Sequence, residues 1–186
     1  KMLRECRCRL IDWAKKTGIK VIQILPVNDT VATHTWTDSY PYAAISVFAL
    51  HPIYANIEEM GRLKSSTANR IVKERGESLD VNDKVDYEGV MQLKSRYFKN
   101  LFDEQKDEFL NDPGFKTFFK ENEHWLKPYA AFSYLRDLFN TPNFNKWGKY
   151  KKCTPQIIKD ITSAKSEHYD DIAVHYFIQY HLHKQL

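Results

Sequence analysis

The run Lys20-Val21-Ile22-Gln23-Ile24-Leu25-Pro26 passes directly into Val27-Asn28-Asp29-Thr30-Val31-Ala32-Thr33-His34-Thr35-Trp36-Thr37-Asp38-Ser39-Tyr40-Pro41-Tyr42. The first seven residues are almost continuously apolar and stop at a proline, the pattern of a short strand over about 20–26. A strand apolar on both faces is what a parallel sheet or barrel covered by helices requires, because neither face meets water. From Val27 to Tyr42 the pattern dissolves into polar and aromatic residues, so a long loop leaves the C-terminal end of that strand. In α/β folds that edge is where ligands bind: the strand fixes the base of a loop that is free to vary.

Upstream, Leu3, Cys6, Leu10 and Trp13 recur at three- and four-residue intervals, one apolar stripe on a helix over about 2–17, with Gly18 placed to end it. Downstream, Ala43 to Ile57 is apolar but irregular and reads as chain with one short extended piece packed near the loop. From about Ser65 onward the periodicity is helical. Val90, Lys94, Tyr97 and Leu101 share a face, with Phe98 and Phe102 beside them, which predicts a helix over about 87–109. Asp112-Pro113 has the form of an N-cap followed by proline at the first helical position, opening a short helix through Phe115, Phe118 and Phe119. Tyr129, Phe132, Leu135 and Phe139 mark another over about 124–140. Thr154-Pro155 repeats the cap before Ile157, Ile158 and Ile161, and a last helix over about 167–186 carries a wide apolar arc and should be largely buried.

Of the 186 residues, 42% are hydrophobic and 14% aromatic, enough to bury a core, which excludes disordered, collagen-like and low-complexity classes. Mean hydropathy is −0.58. No uncharged apolar run approaches the roughly 18 residues that span a bilayer, so a soluble segment without membrane partners is expected. The charge of +4 is the difference between 28 basic and 24 acidic side chains spread along the chain, a weak basis for nucleic-acid binding. Three cysteines, Cys6, Cys8 and Cys153, do not make a disulfide framework and fit a reduced, cytoplasmic setting. The chain opens and closes inside helical patterns, so both ends read as cut.

Chemistry concentrates between Asn28 and Tyr42. An acid, a hydroxyl and three aromatic rings within seven residues suit carbohydrate, which offers an apolar CH face to a ring and a rim of hydroxyls to polar groups. The same residues also fit plain packing, with Trp36, Tyr40 and Tyr42 against helices and Asp38 capping a turn. Other constellations are poorer. His181 and His183 are two apart on a helix and cannot chelate one ion from one face, and Cys6 and Cys8 diverge in the same way, so no metal is expected. Asp170-Asp171 and Glu58-Glu59 are neighbours that point apart, unlike the facing carboxyls of a glycosidase. No glycine-rich phosphate loop is present and no cofactor is expected.

Leu25 to Thr30, Trp36 to Tyr42 and Ser46-Val47-Phe48-Ala49-Leu50-His51-Pro52-Ile53-Tyr54 closely resemble the 4-α-glucanotransferases of the amylomaltase family, above all its plant-type, maltose-acting members. Leu126-Lys127-Pro128-Tyr129-Ala130-Ala131-Phe132, Leu135-Arg136-Asp137 and His175 to Leu186 agree, in the family's order. The resemblance implies a fragment of a (β/α)8 TIM barrel. Residues 1–57 would supply the first barrel helix, strand and substrate loop, and 58–186 a large helical insertion leading to the second strand. It implies glucosyl transfer between α-1,4-glucans (maltose, maltodextrin or a glycogen-like glucan) through a covalent intermediate on an Asp, with a Glu as acid and base. The family's catalytic acids lie on later strands, so no catalytic residue is assigned here and the chain alone should be inactive. Asp38, Ser39 and Tyr42 fall in the family's substrate-cleft motif, with Tyr42 as sugar-stacking ring and Trp36 and Tyr40 as further substrate-binding candidates. Tyr40, between Ser39 and Pro41, lengthens the usual motif. The competing expectation is a helical interaction or nucleic-acid-binding domain without catalysis.

Overall fold

The computed structural model describes residues 2–81 and 84–186, without the side chains of residues 2–8. The Cys6–Cys8 pair and the first turns of the N-terminal apolar stripe therefore lie outside the described side chains. Seven α-helices are described: α1 Met2–Thr17, α2 Ile57–Met60, α3 Ser66–Asp80, α4 Tyr87–Asn111, α5 Pro113–Phe139, α6 Pro155–Ile161 and α7 Tyr169–Gln185. The chain is mainly helical.

Most helix ends follow from their capping residues. Asp86 accepts from Gly89 N at 2.8 Å and Asp112 from Phe115 N at 2.6 Å, each carboxylate taking up an N–H that has no partner inside its helix. The Thr154 hydroxyl does the same for Ile157 N at 3.3 Å. Gly18 has φ +76°, and Ile19 N–H returns to Ala14 O at 2.9 Å, the left-handed turn that lets α1 stop. The two helices expected around 113–119 and 124–140 are one: Lys120-Glu121-Asn122-Glu123 contains no breaker, and Pro128 is accommodated inside α5.

The strand expected over 20–26 is not formed among the described residues. Those residues run without ladder pairing, and Val21, Ile24 and Leu25 are 83%, 60% and 62% exposed. A strand exists only where a neighbour takes its N–H and C=O groups, and no described segment pairs with this one. The single β pairing among the described residues is an antiparallel bridge between Asn28 and Leu50, carried by Asp29 N→Ala49 O at 2.8 Å and His51 N→Val27 O at 2.9 Å. The Leu10 and Trp13 stripe of α1 is likewise uncovered, with Trp13 54% exposed.

The core is built by α4, α5 and α7. Phe98, Leu101, Phe102, Leu126, Ala130, Ala131, Leu135, Ile172, Ala173, Tyr176 and Phe177 are at most 1% exposed. Phe109 lies against Phe115 at 4.1 Å and Phe177 at 5.0 Å between ring centroids. Burying each such ring stabilises the fold by roughly 2–3 kcal/mol, and alanines at 130, 131 and 173 leave room for the backbones to approach. The irregular stretch 43–57 is held to this core by two amides of α7. Gln179 accepts from Leu50 N and donates to Leu50 O, both at 2.8 Å, and Gln185 does the same to Asn56 at 2.8 and 2.9 Å. Each glutamine supplies the donor and acceptor that a neighbouring strand would otherwise present.

Candidate functional site

The loop after Val27 is organised by two buried carboxylates. The Asp38 carboxylate accepts several hydrogen bonds: from Ala32 N at 3.1 Å, Thr33 N at 2.9 Å and His34 N at 2.7 Å on Oδ2, and from the Thr33 hydroxyl at 2.9 Å on Oδ1. Its backbone carbonyl accepts from the Thr30 hydroxyl. The segment 30–38 is thereby closed on itself, with a 3-10 turn over Trp36–Ser39. His34 adopts φ +60°, a left-handed conformation that costs a non-glycine residue about 1 kcal/mol or more and persists only where its surroundings fix it.

Asp29 anchors the loop to the helices. Its Oδ1 accepts from Val31 N at 2.9 Å and its Oδ2 from the Tyr129 hydroxyl at 2.6 Å; Tyr129 in turn accepts from Gln179 at 3.2 Å. Burial pushes the Asp29 carboxyl up to about 6, against the opposing pull of Tyr129, Val31 N–H and the Arg136 charge. Arg136 donates Nη1 to Val31 O at 2.6 Å and Nε to Asp137 Oδ1 at 2.7 Å. The same Asp137 oxygen lies 2.7 Å from His34 Nε2. Burial would raise Asp137, yet the hydrogen bond from His34 and the Arg136 charge hold it well below the usual carboxylate range. Trp36 N–H reaches Glu88 on α4 at 3.1 Å. Under this part of the loop lies a cavity of about 400 Å³ lined by Val31, His34, Phe98, Arg136, Asp137 and His175, among others. Burial brings His175 down to about 4, so it is a neutral imidazole near pH 7.

The sequence candidates fall into two groups. Trp36, Tyr40 and Tyr42 are 69%, 61% and 63% exposed, and the Tyr40 and Tyr42 rings lie 5.6 Å apart at 57°. Ser39 is exposed beside them. Asp38 is only 5% exposed, with both oxygens engaged by its own loop. Three rings standing in solvent on a tied loop are unlike rings packed on helices; Asp38 does close a turn. Sequence reasoning passed over Asp29, His34, Tyr129, Arg136, Asp137 and Gln179 as site residues. One signal was available: Asp29, and the Tyr129 and Arg136-Asp137 segments, all lie in runs that carry the family resemblance. Among the described residues no group of three or more His, Cys, Asp or Glu is placed to hold a metal ion, and no helix is long and apolar enough to cross a membrane.

Comparison with known proteins points to enzymes that transfer glucan units. The chain belongs to the 4-alpha-glucanotransferase family of glycoside hydrolase family 77, whose model matches residues 5–186. It is 41% identical to the 4-alpha-glucanotransferase DPE2 of Oryza sativa subsp. japonica over 177 residues, 95% of this chain and 19% of the rice protein. The 4-alpha-glucanotransferase of Chlamydia muridarum is 29% identical over 178 residues, covering 95% of this chain and 32% of that protein. That of Clostridium butyricum is 25% identical over 177 residues, 94% of this chain and 34% of its own length. The chain thus spans between a fifth and a third of these relatives. No solved structure matches it significantly.

Proposed function

We propose that this chain is the early part of the catalytic domain of a cytoplasmic 4-alpha-glucanotransferase, and that its 27–42 loop forms one wall of the groove that holds an α-1,4-glucan. In this reading residues 1–57 give the first barrel helix, strand and substrate loop, and 58–186 the helical insertion. The run over about 20–26, with Val21, Ile22, Ile24 and Leu25 exposed, becomes the first barrel strand once neighbouring strands take its backbone groups. The observation that carries the reading is the set of rings at Trp36, Tyr40 and Tyr42, exposed on a loop that buried Asp38 and Asp29 hold in one shape. A glucose ring lays its CH face on such a ring, and Ser39 and backbone groups meet its hydroxyls. Asp38 serves binding by shaping the loop.

Transfer would use an Asp nucleophile and a Glu acid-base roughly 5 Å apart, supplied by the remainder of the barrel. The contribution of this chain is orientation: a sugar held on fixed rings loses less freedom at the moment of reaction. The rival reading as a helical interaction or nucleic-acid-binding domain is not favoured by relatives that are glucanotransferases. Titrating the 186-residue chain with maltoheptaose while following backbone amide shifts tests the groove. Weak, saturable shifts confined to residues 33–42 are expected, and shifts scattered over the surface, or none at high sugar concentration, would refute it.

A further inference from the structure

We infer that Arg136 and Asp137 on α5 are positioning residues for the glucan-facing loop, acting through His34; this rests on the proposed function above. Three observations meet at one point. Asp137 Oδ1 is shared by Arg136 Nε and His34 Nε2, each at 2.7 Å. Arg136, only 4% exposed, spends a second arm on Val31 O at 2.6 Å. One α5 pair therefore grips the loop at two places, three residues apart in the loop.

Among the residues of the 27–42 loop, His34 is the one with a left-handed backbone, φ +60°. Its N–H is tied to Asp38 at 2.7 Å and its ring to Asp137, so the left-handed turn is imposed from both ends. That turn lies two residues before Trp36 and sets the direction in which the chain leaves toward the exposed rings.

The cavity of about 400 Å³ separates a structural role from a positioning one. Val31 is buried against Tyr87 and Met91, whereas His34 stands exposed on the wall of that pocket. Packing holds the loop at Val31 but not at the exposed His34, whose ring is held by its hydrogen bond to Asp137. Removing the clamp leaves the α4–α5–α7 core intact while freeing the loop to sample other shapes.

The test combines kinetics of the full-length enzyme containing this chain with amide hydrogen exchange of the 186-residue chain. Asp137→Ala is expected to raise KM for maltose about tenfold with kcat nearly unchanged, because a loosened loop must be reordered at each binding event. Asp137→Asn, which keeps one acceptor, should recover part of that loss. His34→Asn provides a second route: asparagine tolerates the left-handed conformation but is too short to reach Asp137, so it removes the clamp with little risk to folding. In both Asp137→Ala and His34→Asn, exchange at residues 31–38 should quicken while α7 amides stay protected. Unchanged loop exchange, a fall in kcat at constant KM, or an Asp137→Asn variant no better than Asp137→Ala would overturn the assignment. Absence of maltose turnover in the unmodified enzyme would count against the proposed function instead, and the exchange measurement would then decide the clamp by itself.

Discussion

Replacing Asp38 by alanine removes the acceptor for three backbone N–H groups, of Ala32, Thr33 and His34, and for the Thr33 hydroxyl, at 2.7–3.1 Å. At roughly 1 kcal/mol net for each bond the full loss is about 4 kcal/mol. Thr33 and His34 are exposed and Ala32 is half-buried, so water takes over part of the hydrogen bonding. Halving the sum for that replacement leaves about 2 kcal/mol of local destabilisation, equivalent to about 30-fold faster opening of the loop. Amide exchange read by NMR resolves the three positions directly. Exchange at Ala32, Thr33 and His34 should accelerate by that factor, well beyond any change in α7, and Asp38→Asn should fall between alanine and the unmodified chain. Equal acceleration in loop and core, or none in the loop, would refute the view that this carboxylate is the loop's organiser.

Acid should destabilise the fold. Burial lowers His51, His175 and His181 to about 4 each, so their neutral forms support the native state above 6.5 and that support is lost as pH falls toward 4. Asp29, raised to about 6, works the other way, its contribution being complete below 3.8 and lost as pH rises through 6. These three against one, with His183 lowered by burial in the same direction, leave a net uptake of at least about two protons on unfolding, a slope of about 3 kcal/mol per pH unit, measurable by urea denaturation from pH 6.5 to 4; flat stability there would contradict it. Gln179→Ala, which strips Leu50 of both partners and Tyr129 of a donor at a site with no exposure, should cost about 3 kcal/mol in the same assay. Trp36→Ala, at a ring 69% exposed, should leave stability within about 0.5 kcal/mol while abolishing maltoheptaose-dependent amide shifts.

The helices were legible because their signals are local. Asp112-Pro113 and Thr154-Pro155 announce their starts within two residues, and the spacing of Val90, Tyr97 and Leu101 fixes a face. The 20–26 strand was not realised because a strand's hydrogen bonds belong to its neighbours, which pattern alone cannot provide. The rings and Asp38 were legible as a cluster, but their division of labour was not: nothing in Trp36-Thr37-Asp38 says that the rings face out and the acid faces in. The anchors were less legible still. Asp29 meets Tyr129 across 100 residues, and His34 meets Asp137 across 103, separations at which no periodicity carries information.

The most direct measurement of the central claim is maltose disproportionation by the full-length enzyme containing this chain, assayed as glucose release, beside the same enzyme carrying Trp36→Ala and Tyr42→Ala and beside the 186-residue chain alone. The account predicts glucose release by the unmodified enzyme, a marked rise in KM in the doubly substituted one and no turnover by the short chain. Turnover by the short chain, or kinetics indifferent to the loss of both rings, would contradict it.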